Sequence, residues 1–66
     1  MILSNTIKER RAKLKISQAD LAEMAQVSLA TVKDIERGKG NPSLQTIEKL
    51  LDILGLEIVY RIRQTI

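Results

Sequence analysis

Apolar residues recur at helical spacing along four stretches of this chain, and in a fifth the period changes to two. Ile7, Arg11 and Leu14 predict a first helix from Asn5 to Lys15, with lysines and arginines over the rest of its surface. Ser17 predicts the start of a second helix, and Asp20 three positions on completes a capping box with Asp in place of Glu. Leu21, Ala22 and Ala25 form the buried stripe of that helix. Ser28 opens a third, whose inward residues are Val32, Ile35 and the stem of Glu36. Gly38, Gly40, Asn41 and Pro42 mark a loop. Ser43 caps a fourth helix through Leu54, with Leu44, Ile47, Leu50, Leu51 and Leu54 as its apolar face, and Gly55 ends it. Beyond Gly55, residues 56–63 alternate: Leu56, Ile58, Tyr60 and Ile62 fall on one side, Glu57, Val59, Arg61 and Arg63 on the other. Alternation rich in β-branched residues predicts a half-buried strand.

The second and third helices, 18–25 and 29–37, stand close enough to be joined by a tight turn. Gln26 occupies the turn, where glycine is expected; a positive φ there costs roughly 1 kcal/mol relative to Gly. Val27 would plug the angle between the two helices. Placing the third helix at helical intervals turns Val32, Ile35 and Glu36 inward and Ala30, Lys33, Asp34 and Arg37 outward, with Leu29 and Thr31 at its exposed N-terminal end. Such a pair can present the start of its second helix to the major groove of DNA.

Composition narrows the choices. The chain has 66 residues, 11 basic and 8 acidic, for a net charge of +3, a modest excess compatible with nucleic acid. A single domain of this size buries only about 60% of its unfolded surface, so a partner chain would help it. Without cysteine or histidine there are no disulfides, no thiolate metal sites and no imidazole base. No apolar run approaches the ~20 residues of a membrane span, and Met1-Ile2-Leu3 is too short for a signal-peptide core. The expected setting is cytoplasmic, associated with the nucleoid through DNA. No cofactor is expected.

The ordered pattern Ser17-Gln18-x-x-Leu21-Ala22, Val27-Ser28-x-x-x-Val32, Ile35-Glu36-x-Gly38 and Pro42-Ser43-Leu44 resembles the Xre/Cro-type, lambda-repressor-like helix-turn-helix family over roughly residues 5–55. The resemblance implies that Gln18 anchors on a phosphate or braces a reading side chain. It implies that Leu29, Ala30 and Thr31 meet base edges, with Lys33 and Asp34 one turn on. Arg37, Lys39 and the backbone around Gly40 and Asn41 would hold phosphates. Arg11 and Glu36 match an ion pair of that family tying the first helix to the third. Ser28 is a cap first and a phosphate ligand second. Many relatives place Gln or Asn at the start of the reading helix, where bidentate bonds to adenine form. Leu29 and Ala30 make none, so much of the readout is expected from DNA shape. Lys33 remains a donor for guanine and Asp34 an acceptor for cytosine. The plainer alternatives are that Asp34 simply pairs with Arg37 along its helix, and that Lys8, Arg10, Lys13 and Lys15 are a solvated face. Met24 reads as packing, and Tyr60 as interface packing.

A lone strand has nothing to pair with. Symmetric pairing with a second copy is the simplest answer, with Leu56, Ile58, Val59, Tyr60 and Ile62 at the dimer interface. An antiparallel ribbon centred on Val59 sets Glu57 against Arg61, Ile58 against Tyr60 and Leu56 against Ile62. Centring on Tyr60 sets Glu57 against Arg63 and Ile58 against Ile62 but leaves Val59 opposite Arg61. The Val59 register is favoured, because charges and apolar pairs both match. A helix-turn-helix body followed by such a strand resembles the HipB-like antitoxins, which implies a ribbon-held dimer with a toxin on its flank.

The expected fold is mainly α: a four-helix DNA-binding domain over 1–55 and a dimerisation strand over 56–66. The expected function is a dimeric repressor reading a palindromic operator in double-stranded DNA, as the antitoxin of a pair that represses its own operon. The alternatives are a free-standing prophage or metabolic regulator, and an interaction module that has lost specific DNA reading. An enzyme is disfavoured.

Overall fold

A computed structural model describes residues 2–63. It contains four helices: α1 (Ile2–Leu14), α2 (Gln18–Ala25), α3 (Leu29–Glu36) and α4 (Leu44–Leu54). The second and third helices of the sequence reading are α2 and α3, with Arg37 serving as the C-cap of α3 rather than its last residue. None of the helices among the described residues is long and apolar enough to cross a membrane.

Serine chemistry sets three helix starts. The N–H groups of Asp20, Thr31 and Thr46 donate to Ser17, Ser28 and Ser43 Oγ at 2.9, 3.0 and 3.1 Å. Each bond satisfies one of the donors that a helix start leaves unpaired. At Ser17 the box is complete, because the Ser17 N–H donates back to Asp20 Oδ2 at 3.2 Å.

All four helices stop in one way. The first residue past the helical turn takes a left-handed conformation: Lys15 (φ 58°), Gln26 (φ 59°), Gly38 (φ 73°) and Gly55 (φ 72°). Its N–H donates to the carbonyl three residues back, and the next N–H donates to the carbonyl five back, the Schellman arrangement. The longer bonds run from Ile16 to Arg11, Val27 to Ala22, Lys39 to Asp34 and Leu56 to Leu51, at 3.3, 3.0, 2.8 and 2.8 Å. Ile16, Val27 and Leu56 also pack against the core. Lys39 is exposed instead.

The core is Ile7 from α1, Leu21, Ala22 and Ala25 from α2, Val32 and Ile35 from α3, and Leu50, Leu51 and Leu54 from α4. α2 lies against both α3 and α4, and α1 closes the bundle across the same two helices. This clamps α3 along its inner face and leaves its outer face to solvent.

Four expectations need correction. The first helix begins at Ile2, not Asn5, and Leu14 is 42% exposed. Core contact along α1 ends at Ile7, about two turns earlier, and after the chain reverses at Lys15 it is Ile16 that packs inward. Leu44 is 52% exposed; it is the first residue of α4, where the helix has not yet reached the core. The strand over 56–63 does not form in the single chain: these residues carry no regular secondary structure. Leu56 is half-buried, but Val59, Tyr60 and Ile62 are 74, 76 and 97% exposed. The physical reason is that a strand needs a ladder partner, and one chain supplies none among the described residues. The end of the expected strand, 64–66, lies outside the described residues.

Candidate nucleic-acid interface

The site is built around Glu36, a buried carboxylate on the inner edge of α3. Its side chain is 2% exposed. Arg11 from α1 grips it with a fork, Nε to Oε2 at 2.7 Å and Nη2 to Oε1 at 3.1 Å. Gln18, the first residue of α2, donates Nε2 to Oε1 at 3.1 Å. Arg11 Nη1 also donates to the Ile16 carbonyl at 3.0 Å, locking the α1–α2 corner. One carboxylate therefore joins three helices. Burial pushes the Glu36 carboxyl up, but the bonds from Arg11 and Gln18 and the charges of Arg11 and Lys8 outweigh it and hold it below its ordinary range. The same hydrogen bond to Glu36 raises Arg11 against the opposing effect of burial.

With its inner edge fixed, α3 turns Ala30, Lys33, Asp34 and Arg37 outward. Two adjoining hollows line this face. Gln18, Ala30, Lys33, Asp34 and Arg37 form one, of about 340 Å³. Thr31, Asp34, Lys39, Gly40, Asn41 and Pro42 are among the residues that form the other, of about 180 Å³, between α3 and the loop before α4. Asp34 belongs to both. The structure thus gathers onto one surface most of the residues singled out from sequence. Leu29, 39% exposed, stands at the N-terminal edge of α3 outside both hollows. Ser28 is engaged as the N-cap, its Oγ also 2.7 Å from Thr31 Oγ1.

Asp34 and Arg37 form an ion pair along the outer face of α3, through Oδ1 and Nη2. The Gln18–Glu36 bond was legible only as the general idea of bracing, since nothing in the sequence names the carboxylate as its acceptor. The bond from Arg10 Nε to the Leu54 carbonyl at 2.7 Å was not foreseen at all. It carries a cation to the C-terminal end of α4, where the helix dipole favours one, and makes Arg10 more than a solvated residue.

Two short helices crossing through a left-handed turn, the second clamped inside and bare outside, define a helix-turn-helix domain. Comparison with known families agrees: the Helix-turn-helix model HTH_3 matches residues 7–61, and the chain belongs to that family. Among curated proteins it is similar to the immunity repressor protein of Bacillus phage phi105, 40% identical over 58 residues. That alignment covers 88% of this chain and 40% of the phage protein. It is also similar to the HTH-type transcriptional regulator DdrOP3 of Deinococcus deserti, 34% identical over 58 residues, covering 88% of this chain and 45% of that protein. The chain thus spans less than half the length of these curated relatives.

Proposed function

We propose that this chain is the DNA-reading part of a transcriptional repressor, binding a specific site in double-stranded DNA through the outer face of α3. The observation that carries the reading is the surface itself: a rigidly clamped helix whose exposed side, with the adjoining loop, collects Lys33, Arg37, Lys39 and Asn41 around two shallow hollows. Lys33 faces base edges, Arg37 and Lys39 face phosphates, and Leu29, Ala30 and Thr31 exclude water or touch thymine methyl groups. Gln18 braces the inner edge of α3 through Glu36. The printed names of the phage and Deinococcus relatives, a repressor and a transcriptional regulator, support the same assignment.

The repressor acts as a homodimer. The support is the segment after Gly55, where Ile58, Val59, Tyr60 and Ile62 stand exposed in sequence beside Arg61 and Arg63. Antiparallel pairing of two such segments about Val59 would cover part of this exposed surface, and a palindromic site for the dimer would have half-sites about 34 Å apart, or a multiple of it. The antitoxin reading, with a toxin on the flank of that ribbon, rests on this segment alone. The similarity to a phage immunity repressor favours a free-standing regulator over it.

The test is a salt titration on an operator selected from a random duplex library. Two phosphate-facing cations per protomer, Arg37 and Lys39, give a dimer a slope of about −3.6 in log affinity against log salt, at about −0.9 for each phosphate neutralised. A flat response overturns the reading.

A further inference from the structure

The outer face of α3 carries one carboxylate among its cations, and that carboxylate is already occupied. Asp34 lines both hollows of the reading surface and is the only acidic residue in either. Its Oδ1 accepts from Arg37 Nη2, one helical turn on. Both side chains remain open to solvent, 44% exposed for Asp34 and 62% for Arg37. The main chain of Asp34 is tied to the loop that follows α3. Lys39 N–H donates to the Asp34 carbonyl at 2.8 Å, and a Cβ on Gly40 would lie 3.6 Å from Asp34 Cβ and 4.0 Å from Oδ2. A side chain larger than that of glycine at position 40 would touch Asp34, so the loop runs close beside the carboxylate.

This arrangement has a consequence for any polyanion approaching the surface. Arg37 is neutralised within the protein, so a phosphate gains little from it until Asp34 lets go. The carboxylate itself meets repulsion from phosphates and from the acceptor atoms of guanine and thymine. Only a base amino group, cytosine N4 above all, offers it a donor in the major groove. We propose that Asp34 is a specificity-determining residue that keeps Arg37 out of contact with DNA until the correct base is present. At a matching site the base amino group takes over the carboxylate, and Arg37 swings to the backbone. At other sites the ion pair stays closed and one phosphate contact is withheld. Resting on the DNA-reading assignment, the proposal adds a mechanism by which wrong sequences are refused.

The experiment compares wild type, Asp34→Asn, Arg37→Ala and the double variant on the selected operator duplex and on a scrambled duplex of equal length. Asp34→Asn keeps the shape and removes the charge. It is expected to tighten binding to the scrambled duplex and to steepen its salt slope by about 0.9 per protomer, the signature of one newly engaged phosphate. Discrimination between the two duplexes should fall about tenfold, within the range of one lost base contact. Adding Arg37→Ala to Asp34→Asn should return the scrambled-duplex slope to the wild-type value, whereas Arg37→Ala alone should barely change it. Circular dichroism of each variant confirms that the helices persist. An unchanged scrambled-duplex slope in Asp34→Asn, or an equal loss of slope from Arg37→Ala in both backgrounds, overturns the proposal while leaving DNA reading intact. Binding by wild type that does not respond to salt overturns the DNA reading and the proposal together.

Discussion

Removing the arginine that grips Glu36 should come close to unfolding this domain. In Arg11→Ala the carboxylate, 2% exposed, keeps one side-chain donor, Gln18, and loses both fork bonds. Orphaning one member of a buried pair costs ~3–5 kcal/mol. Arg11 is itself 19% exposed, so water can enter where it stood, and the lower end applies: about 3 kcal/mol. A chain of this length has roughly 3–10 kcal/mol of stability in all. At about 4–8 °C per kcal/mol, the melting temperature falls by about 12–24 °C. Thermal and urea unfolding followed by circular dichroism measure this directly. The cost should shrink on acidification, because a protonated Glu36 no longer needs a cation. In wild type the sign is equally definite. Glu36 is depressed in the folded state, so between its folded pKa and its ordinary value of 4.5 the unfolded chain binds more protons. The pair's contribution is present in full above that range and is lost as pH falls through the folded pKa. Replacing both partners by apolar residues, Arg11→Met with Glu36→Leu, should recover most of the loss, since neither charge is then stranded. A loss below about 1 kcal/mol for Arg11→Ala at neutral pH, or a double variant as unstable as the sum of its singles, would refute the account of Glu36 as a buried clasp.

Lys15 and Gln26 hold left-handed backbone that favours glycine, with φ of 58° and 59°. Lys15→Gly and Gln26→Gly should each raise stability by about 0.5–1 kcal/mol after the added freedom of the unfolded chain is subtracted, and unchanged melting would contradict the strain. Ser17→Ala removes the Oγ that accepts from Asp20 and breaks the capping box; a loss of about 1 kcal/mol in chemical denaturation is expected. Deleting residues 56–66 should abolish dimerisation in sedimentation and leave the helical signal in place; a truncated chain that still dimerises removes the role assigned to that segment.

Local chemistry was the readable part of this chain. The three serine caps, the stop at Gly55 and the inward set Val32, Ile35 and Glu36 all follow from capping rules and a helical period, and the structure contains each of them. Leu14 and Leu44 were misread because period alone shows direction and not reach: each points along its helix's apolar side at an end where the neighbouring helices no longer cover it. Residues 56–63 show the converse. Their alternation is real, but a strand is a relation between two segments, and only one is present. Of the interface, the outward face of α3 was legible from its angles. The gripping of Glu36 by Gln18 and of the α4 end by Arg10 required the tertiary fold, because the partners lie 18 and 44 residues apart.

Of the four helix corners, three are nailed to the core by the apolar residue that follows the reversal: Ile16, Val27 and Leu56. At the corner leaving α3 that residue is Lys39, held by backbone bonds alone and exposed. The domain thus combines a stiff part and a compliant one. Displacement of residues 38–41, all exposed, does not have to pull a side chain out of the core, whereas the same displacement at any other corner would. The corner without a core anchor falls beside the outer face of α3, while the inner face of α3 stays clamped through Glu36.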